Sequence, residues 1–186
     1  MTEKLTIAVI YGSVREGRFC DTVANWVLSQ LEPEADIVTV LIDPADRRVS
    51  AGAAQVAYKE MIERADAFIV VTPEYNHGYP AALKELIDSC YQPWHAKPLG
   101  FVSYGGISGG LRAVEQLRQV FAELHVVTVR DGISLAYAGS QFDENGTPRD
   151  AERLAVRFGL MLRQIRWWAA ALKTARKDRD YRNVTG

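Results

Sequence analysis

The chain has 186 residues, with 22 Lys+Arg against 23 Asp+Glu and a formal net charge of -1. Its 48% hydrophobic and 24% charged residues exclude a disordered composition, and the length suits a single domain over residues 1–186. The balanced charge lacks the basic excess expected of a nucleic-acid partner, and no stretch approaches the ~18 apolar residues of a membrane span.

Met1-Thr2-Glu3-Lys4-Leu5 lacks the basic and apolar regions of a secretory signal. Cys20 and Cys90 form neither a disulfide framework nor a metal-ligand cluster. A cytoplasmic protein with reduced thiols is expected, so that Asn145-Gly146-Thr147 and Asn183-Val184-Thr185 are chance matches to the glycosylation pattern.

In chain order, Leu5–Tyr11 reads as a buried strand ending at Gly12. Asp21–Leu31 is a helix with Val23, Val27 and Leu31 on one face. Ile37–Ile42 is a second strand, followed by a polar loop through Arg47 and Arg48. Ala53–Arg64 is a helix and Ala67–Thr72 a third strand. Pro80–Tyr91 is a helix with proline in its first turn. Leu99–Tyr104, Leu111–Leu124 and Val126–Arg130 read as strand, helix and fifth strand. Asp131–Asp150 is a loop with a turn at Glu144-Asn145-Gly146, and a final helix runs from Ala151 to about Lys177. Five strands alternating with helices predict an α/β three-layer sandwich with a parallel sheet. Right-handed crossovers make the flavodoxin-like order 2-1-3-4-5 the economical topology. Ligands then belong at the carboxyl ends of the strands, on the loops after strands one, three and four.

The first loop, Gly12-Ser13-Val14-Arg15-Glu16-Gly17-Arg18-Phe19-Cys20, leads into a helix N-terminus. Backbone N–H groups, the Ser13 hydroxyl and the Arg15 and Arg18 guanidinium groups suit a phosphate. Gly12–Gly17 has Walker A spacing, but Arg18-Phe19 replaces the Lys-Ser/Thr pair, which disfavours a P-loop NTPase. The second loop, Thr72-Pro73-Glu74-Tyr75-Asn76-His77-Gly78-Tyr79-Pro80, offers flat apolar surface with the Asn76 amide for the edge of a heterocycle. The third, Tyr104-Gly105-Gly106-Ile107-Ser108-Gly109-Gly110, lets backbone approach a ligand closely. It also holds a literal G-x-S-x-G, yet His125 falls at the far edge of the sheet and His77 lies upstream, which disfavours a hydrolase. His77, His95 and His125 lack metal-ligand spacing. His95 beside Trp94 reads as surface packing, and Glu85 and Asp88 as solvated charge.

Together Gly12-Ser13-x-Arg15, Thr72-Pro73-Glu74-Tyr75-Asn76-x-Gly78-x-Pro80 with Leu83-Lys84 and Ile87-Asp88, and Tyr104-Gly105-Gly106-x-x-Gly109-Gly110 resemble the NADPH-dependent FMN reductase family. The match spans about residues 5–130. It implies bound FMN, with Ser13, Arg15 and the loop through Arg18, Phe19 and Cys20 holding the phosphate. Pro73, Glu74, Tyr75 and Asn76 would line the isoalloxazine ring, with Tyr104, Gly105, Gly106 and Gly109 at its other edge. Two departures are Arg18, where relatives carry a small polar residue, and Cys90-Tyr91 after the Ile-Asp pair.

The resemblance also implies NADPH or NADH as hydride donor, ping-pong exchange with a flavin, quinone, azo or oxyanion acceptor, and a homodimer or homotetramer. Hydride transfer needs no protein nucleophile, so no catalytic side chain and no metal is expected. The apolar face of Pro80–Tyr91 and the Trp167-Trp168 pair are candidate interfaces, and the glycine loop or Asp131–Asp150 a candidate gate. The other reading is a flavodoxin-type FMN electron carrier that does not react with nicotinamide.

Overall fold

The computed structural model describes residues 4–46 and 53–185; the predicted loop at Arg47 and Arg48 and the first three residues lie outside these. The chain runs β1 (Leu5–Tyr11), α1 (Cys20–Leu31), β2 (Ile37–Ile42), α2 (Ala53–Arg64), β3 (Ala67–Pro73), α3 (Ala81–Asp88), β4 (Pro98–Gly105) and α4 (Leu111–Glu123). It continues through β5 (Val127–Thr128), β6 (Ile133–Ala136), α5 (Ala138–Gln141), α6 (Ala151–Asp178) and α7 (Arg182–Thr185). The strands pair in parallel in the order β2-β1-β3-β4-β5, as the alternating pattern predicts.

β1 and β3 are near-continuous apolar runs because both faces are covered. Ile7, Val9 and Tyr11 point to a core shared with α1 and α6. Ala8 and Ile10 point to the opposite core, shared with α2, α3 and α4. That period-two division is what a pleated strand between two helical layers requires.

The fifth strand position differs from expectation. Val126–Arg130 contributes only the two residues of β5, which pair with Pro98 and Leu99. The chain then leaves the ladder and returns as β6, which pairs with Val102–Gly105. Thus the predicted loop 131–150 contains a strand and the short α5. The interruption is tolerated because side chains satisfy the displaced backbone. Arg118 donates to the Val129 and Arg130 carbonyls at 3.0 and 3.2 Å, and the Gln164 carbonyl accepts from the Asp131 amide at 3.2 Å. Arg130-Asp131-Gly132 does end a strand; nothing in its composition reveals the second half.

The predicted helix Pro80–Tyr91 is also shorter, ending at Asp88. Ser89 turns its hydroxyl onto the Leu86 carbonyl at 2.7 Å. Pro93 belongs to a separate 3₁₀ turn, Gln92–Trp94, that carries the buried Trp94. Pro80 sits as the N-cap with extended backbone. Asp150 caps α6 by accepting from the Arg153 amide, and Trp167 and Trp168 on that helix are 65% and 37% exposed, so they are not core. Among the described residues no helix is long and apolar enough to cross a membrane.

Candidate flavin site

Four loops meet at the carboxyl edge of the sheet, and each is fixed by local chemistry. Gly12 ends β1 with its amide on the Val71 carbonyl at 2.8 Å. A Cβ there would lie 2.9 Å from Thr72 backbone and side chain, so only glycine lets the first loop leave this close to β3. Ser13 follows, fully buried, its hydroxyl 2.7 Å from the Tyr75 phenol. Arg15 is exposed and lays its guanidinium 3.6 Å over the Tyr75 ring, a cation–π contact. Among the described residues it forms no ion pair. The N-terminus of α1 has no side-chain cap, and its Asp21 amide donates to the Arg18 carbonyl at 3.3 Å; the helix dipole favours an anion there.

Arg18 behaves differently from Arg15. It forms a two-pronged pair with Asp43, donates to Asp21 at 2.8 Å, and hydrogen-bonds the Ser13 carbonyl. Its side chain is only 11% exposed. These partners raise the Arg18 guanidinium further above its ordinary value, the Asp43 hydrogen bond most of all. Burial pulls the Asp43 carboxyl upward, but Arg18 and the Ala45 amide outweigh it and hold Asp43 below the usual carboxylate range. The charge of Arg18 is therefore already matched, and its donors brace the loop from beneath.

Phe19 packs edge-on against Tyr104 and Phe142, at 5.8 and 5.6 Å between centroids. Cys20 is fully buried with its thiol on the Val71 carbonyl at 3.6 Å, and burial pushes that thiol up. Tyr104 is buried as well, its phenol pushed up by burial and by Cys20 beside it.

The second loop is a tight turn rather than an irregular segment. Tyr75 and Gly78 exchange both backbone hydrogen bonds at 2.9 and 3.0 Å. The two central residues, Asn76 and His77, have φ of 49° and 68°, a type I′ geometry that asparagine tolerates well. Gln116 on α4 holds the His77 carbonyl at 2.9 Å. Glu74 turns back under the turn, its side chain 7% exposed, and accepts from the Arg112 amide at 3.1 Å and guanidinium at 2.9 Å. Burial raises the Glu74 carboxyl, but Ser108 and Arg112 together hold it below the ordinary glutamate value. Ser108, the centre of the G-x-S-x-G, thus serves Glu74 and the Gly110 amide. The Asn76 amide is exposed and makes no side-chain hydrogen bond among the described residues.

In the glycine loop, Gly109 and Gly110 have φ of 59° and 86°. Both are pressed onto the sheet: a Cβ on Gly110 would lie 2.7 Å from the Ser103 Cβ, and one on Gly109 2.2 Å from the Ser134 hydroxyl. Gly109 therefore contacts β6 and not an open edge. Gly106 has no neighbour in the direction of a Cβ, and its carbonyl accepts from Tyr137 at 3.0 Å. Tyr137 opens a fourth loop inside the segment 131–150, expected as a loop and candidate gate, but no motif marks its residues as part of the site because they follow the unforeseen β6. With Phe19, Tyr104, Gly105 and residues 138–140 it borders an open depression of ≈ 490 Å³.

Of the predicted residues, Ser13, Arg15, Tyr75, Asn76, Gly105 and Gly106 present polar groups or open backbone at this edge, while Phe19 and Tyr104 supply apolar wall. Pro73 and Glu74 shape the turn from below, and Arg18, Cys20 and Gly109 lie behind the surface. Asp43, Arg112 and Gln116, which hold the loops in place, carry no motif that marks them.

A doubly wound parallel sheet with its loops gathered at the β1/β3 switch point defines a flavodoxin-like α/β protein. The chain matches the family model of NADPH-dependent FMN reductases over residues 5–140. It is 36% identical over 146 residues to an NAD(P)H-dependent FMN reductase of Schizosaccharomyces pombe, covering 69% of this chain and 72% of that one. It is 33% identical over 143 residues to a quinone reductase of Escherichia coli K12, covering 69% and 76%. In structure it resembles the flavoenzyme NAD(P)H:(acceptor) oxidoreductase of Paracoccus denitrificans, with a TM-score of 0.72, 22% identity, and 88% and 97% of the two chains covered. The chain belongs to the NADPH-dependent FMN reductase family, and it is an FMN-dependent NAD(P)H oxidoreductase.

Proposed function

We propose that Ser13, Arg15 and the first amides of α1 hold the FMN phosphate, and that Tyr75, Asn76, Gly105 and Gly106 flank the flavin ring. The observation that carries this is the meeting within one loop of a buried hydroxyl, an exposed arginine with no ion pair among the described residues, and a helix N-terminus without a side-chain cap. The residues fit the group: cation and amides for a phosphate, then flat aromatic and open glycine surface for a planar ring. When bound there, FMN would supply the hydride chemistry, two electrons and a proton taken from NAD(P)H and delivered to an acceptor.

The chain's own residues then have binding and shaping roles. Arg15 and Ser13 supply charge-assisted and neutral hydrogen bonds to phosphate oxygens. Arg18 holds the Ser13 carbonyl and so sets the loop. Tyr75 links the phosphate loop to the ring loop through the Ser13 hydroxyl. The Asn76 amide offers a donor and an acceptor to the ring edge.

The open depression beside Tyr104 and Tyr137 favours exchange of donor and acceptor at one face, hence ping-pong kinetics with small planar acceptors such as quinones or free flavin. The quinone reductase relative supports that acceptor class. A homo-oligomer completes the reading, supported by the exposed Trp167 and by the apolar side chains of Val14, Ile107, Leu111 and Tyr137, each 45–73% exposed, and a cytoplasmic location accords with the free thiols of Cys20 and Cys90. Family membership disfavours the flavodoxin-type carrier.

Fluorescence titration of apoprotein with FMN tests the assignment. Arg15→Ala is expected to weaken binding by roughly 1.5–3 kcal/mol, about ten- to a hundredfold. Unchanged affinity would remove Arg15 from the site.

A further inference from the structure

The opposite edge of the sheet carries a second concentration of charge that flavin chemistry does not use. There His95, expected at the surface, is buried at 7% exposure. Ala96 and His125 both have positive φ, 53° and 55°, and the Ala96 amide donates to the His125 carbonyl at 2.9 Å. These turns stack the His95 and His125 rings with centroids 4.6 Å apart. Tyr91 and Tyr181 each pack edge-on against the His95 ring, with centroids at 4.6 and 5.9 Å. Both His95 ring nitrogens are shut off from solvent, and neither has a hydrogen-bond partner among the described residues. Native proteins rarely leave such groups unpaired without a use for them.

His95 lines a cavity of ≈ 370 Å³ whose other polar walls are Lys59, Lys97, Arg176 and Arg182 against Glu63 and Asp180. Arg182 is paired with Asp180 at 2.9 Å. Arg176 donates to the Ala96 carbonyl with one nitrogen and lies 3.6 Å from one Asp66 oxygen with the other, while Lys173 holds the second Asp66 oxygen at 2.8 Å. Lys97 is 6% exposed, and among the described residues its ammonium donates to the Ile62 and Glu63 carbonyls at the end of α2, at 2.7 and 2.9 Å. Positive charge is thus in excess around a cavity with an unsatisfied imidazole in its wall.

We propose that this cavity is a second ligand site, for a small phosphate-bearing anion held by Lys59, Lys97 and Arg176 with neutral His95 as its buried partner. A neutral imidazole offers one donor and one acceptor, which matches a phosphate oxygen and its hydroxyl. The flat sides of Pro93 and Tyr181 leave room for a group carrying the phosphate.

The cavity is also poised to respond to proton concentration. Burial and the neighbouring Arg176 bring Lys97 down to about 7, against smaller upward pulls from Asp66, Glu63 and Cys90. Burial and then His125 hold His95 below the ordinary histidine value. An arriving anion favours the charged form of Lys97 while His95 stays neutral, so binding near neutrality takes up a proton on Lys97 and weakens as pH rises.

The test is calorimetric titration of the FMN-saturated protein at pH 7 with inorganic phosphate, and separately with adenosine monophosphate, in two buffers of different ionisation heat. One saturable site with net proton uptake is expected. Lys97→Met and His95→Phe are each expected to weaken it about tenfold or more, while Arg15→Ala leaves it unchanged. His95→Phe preserves the ring stack, and an unchanged melting temperature separates lost binding from lost folding. Tighter binding of the nucleotide than of phosphate identifies a carried phosphate; the reverse identifies the free anion. No saturable binding, binding intact in both variants, or binding lost in Arg15→Ala would overturn the proposal.

Discussion

Asp43→Asn removes the charge opposite Arg18 while keeping the side-chain oxygen that accepts from the Ala45 amide at 2.8 Å. It separates two roles for Arg18, phosphate ligand and loop brace. Breaking a buried ion pair from one side typically costs ~3–5 kcal/mol. Here Asp43 is 31% exposed against 11% for Arg18, and Arg18 keeps Asp21 and the Ser13 carbonyl. The expected loss is therefore about 2 kcal/mol, a factor of about thirty in the folding constant. Arg18→Met loses the same pair and also frees the Ser13 carbonyl, a further ~1 kcal/mol. A double-mutant cycle by urea unfolding is expected to return a coupling energy of about 1–2 kcal/mol.

FMN titration of the same proteins gives the decisive comparison. Arg18→Met weakens FMN binding severalfold by loosening the Ser13 loop, and Asp43→Asn never strengthens it. If Asp43→Asn tightens FMN, releasing Arg18 has given the phosphate a new partner, and the brace reading is refuted.

Three further outcomes follow from the same contacts. The Glu74 carboxyl is held below its ordinary value, so its stabilisation is present above the unfolded carboxylate range and is lost as pH falls through the folded value; Glu74→Gln is expected to flatten the acid limb of stability between neutral pH and pH ~3, and an unaltered limb contradicts this. Gly110→Ala places a Cβ 2.7 Å from Ser103 at a φ of 86°, a destabilisation of about 2–4 kcal/mol, whereas a cost under ~0.5 kcal/mol in urea unfolding would mean the glycine loop is free of the sheet. Trp167→Ser, on a side chain 65% exposed, is expected to leave monomer stability within about 0.5 kcal/mol yet lower the mass measured by sedimentation if α6 joins subunits; an unchanged oligomer removes that helix from the interface.

The sheet order was legible because the apolar runs at Leu5–Tyr11, Ala67–Thr72 and Leu99–Tyr104 are short and separated by helical periodicity, and the first two are rich in β-branched residues. The split fifth strand was not, since Arg130-Asp131-Gly132 carries a true termination signal and the residues leaving the ladder, Val129 to Asp131, are held by Arg118 of α4 and Gln164 of α6. Arg15 and Arg18 look alike in sequence. Only the fold brings Asp43 from the end of β2 to claim one of them. Cys20 and Gly109 sit inside motif windows, but strand and helix phase turns the first into the core and β6 fills the space beside the second. His95 read as surface packing because it sits beside Trp94 in the turn before β4, whereas the positive backbone angles at Ala96 and His125 accompany a buried ring.

The central claim is that this chain binds FMN at the carboxyl edge of its sheet and reduces it directly with a nicotinamide. Anaerobic mixing of the FMN-loaded protein with NADPH or NADH, followed at the flavin's visible absorption band, tests it most directly. Rapid bleaching without any second protein, followed by recovery of colour on adding a quinone, is the predicted result. A flavin band that persists in the presence of both nicotinamides contradicts the account.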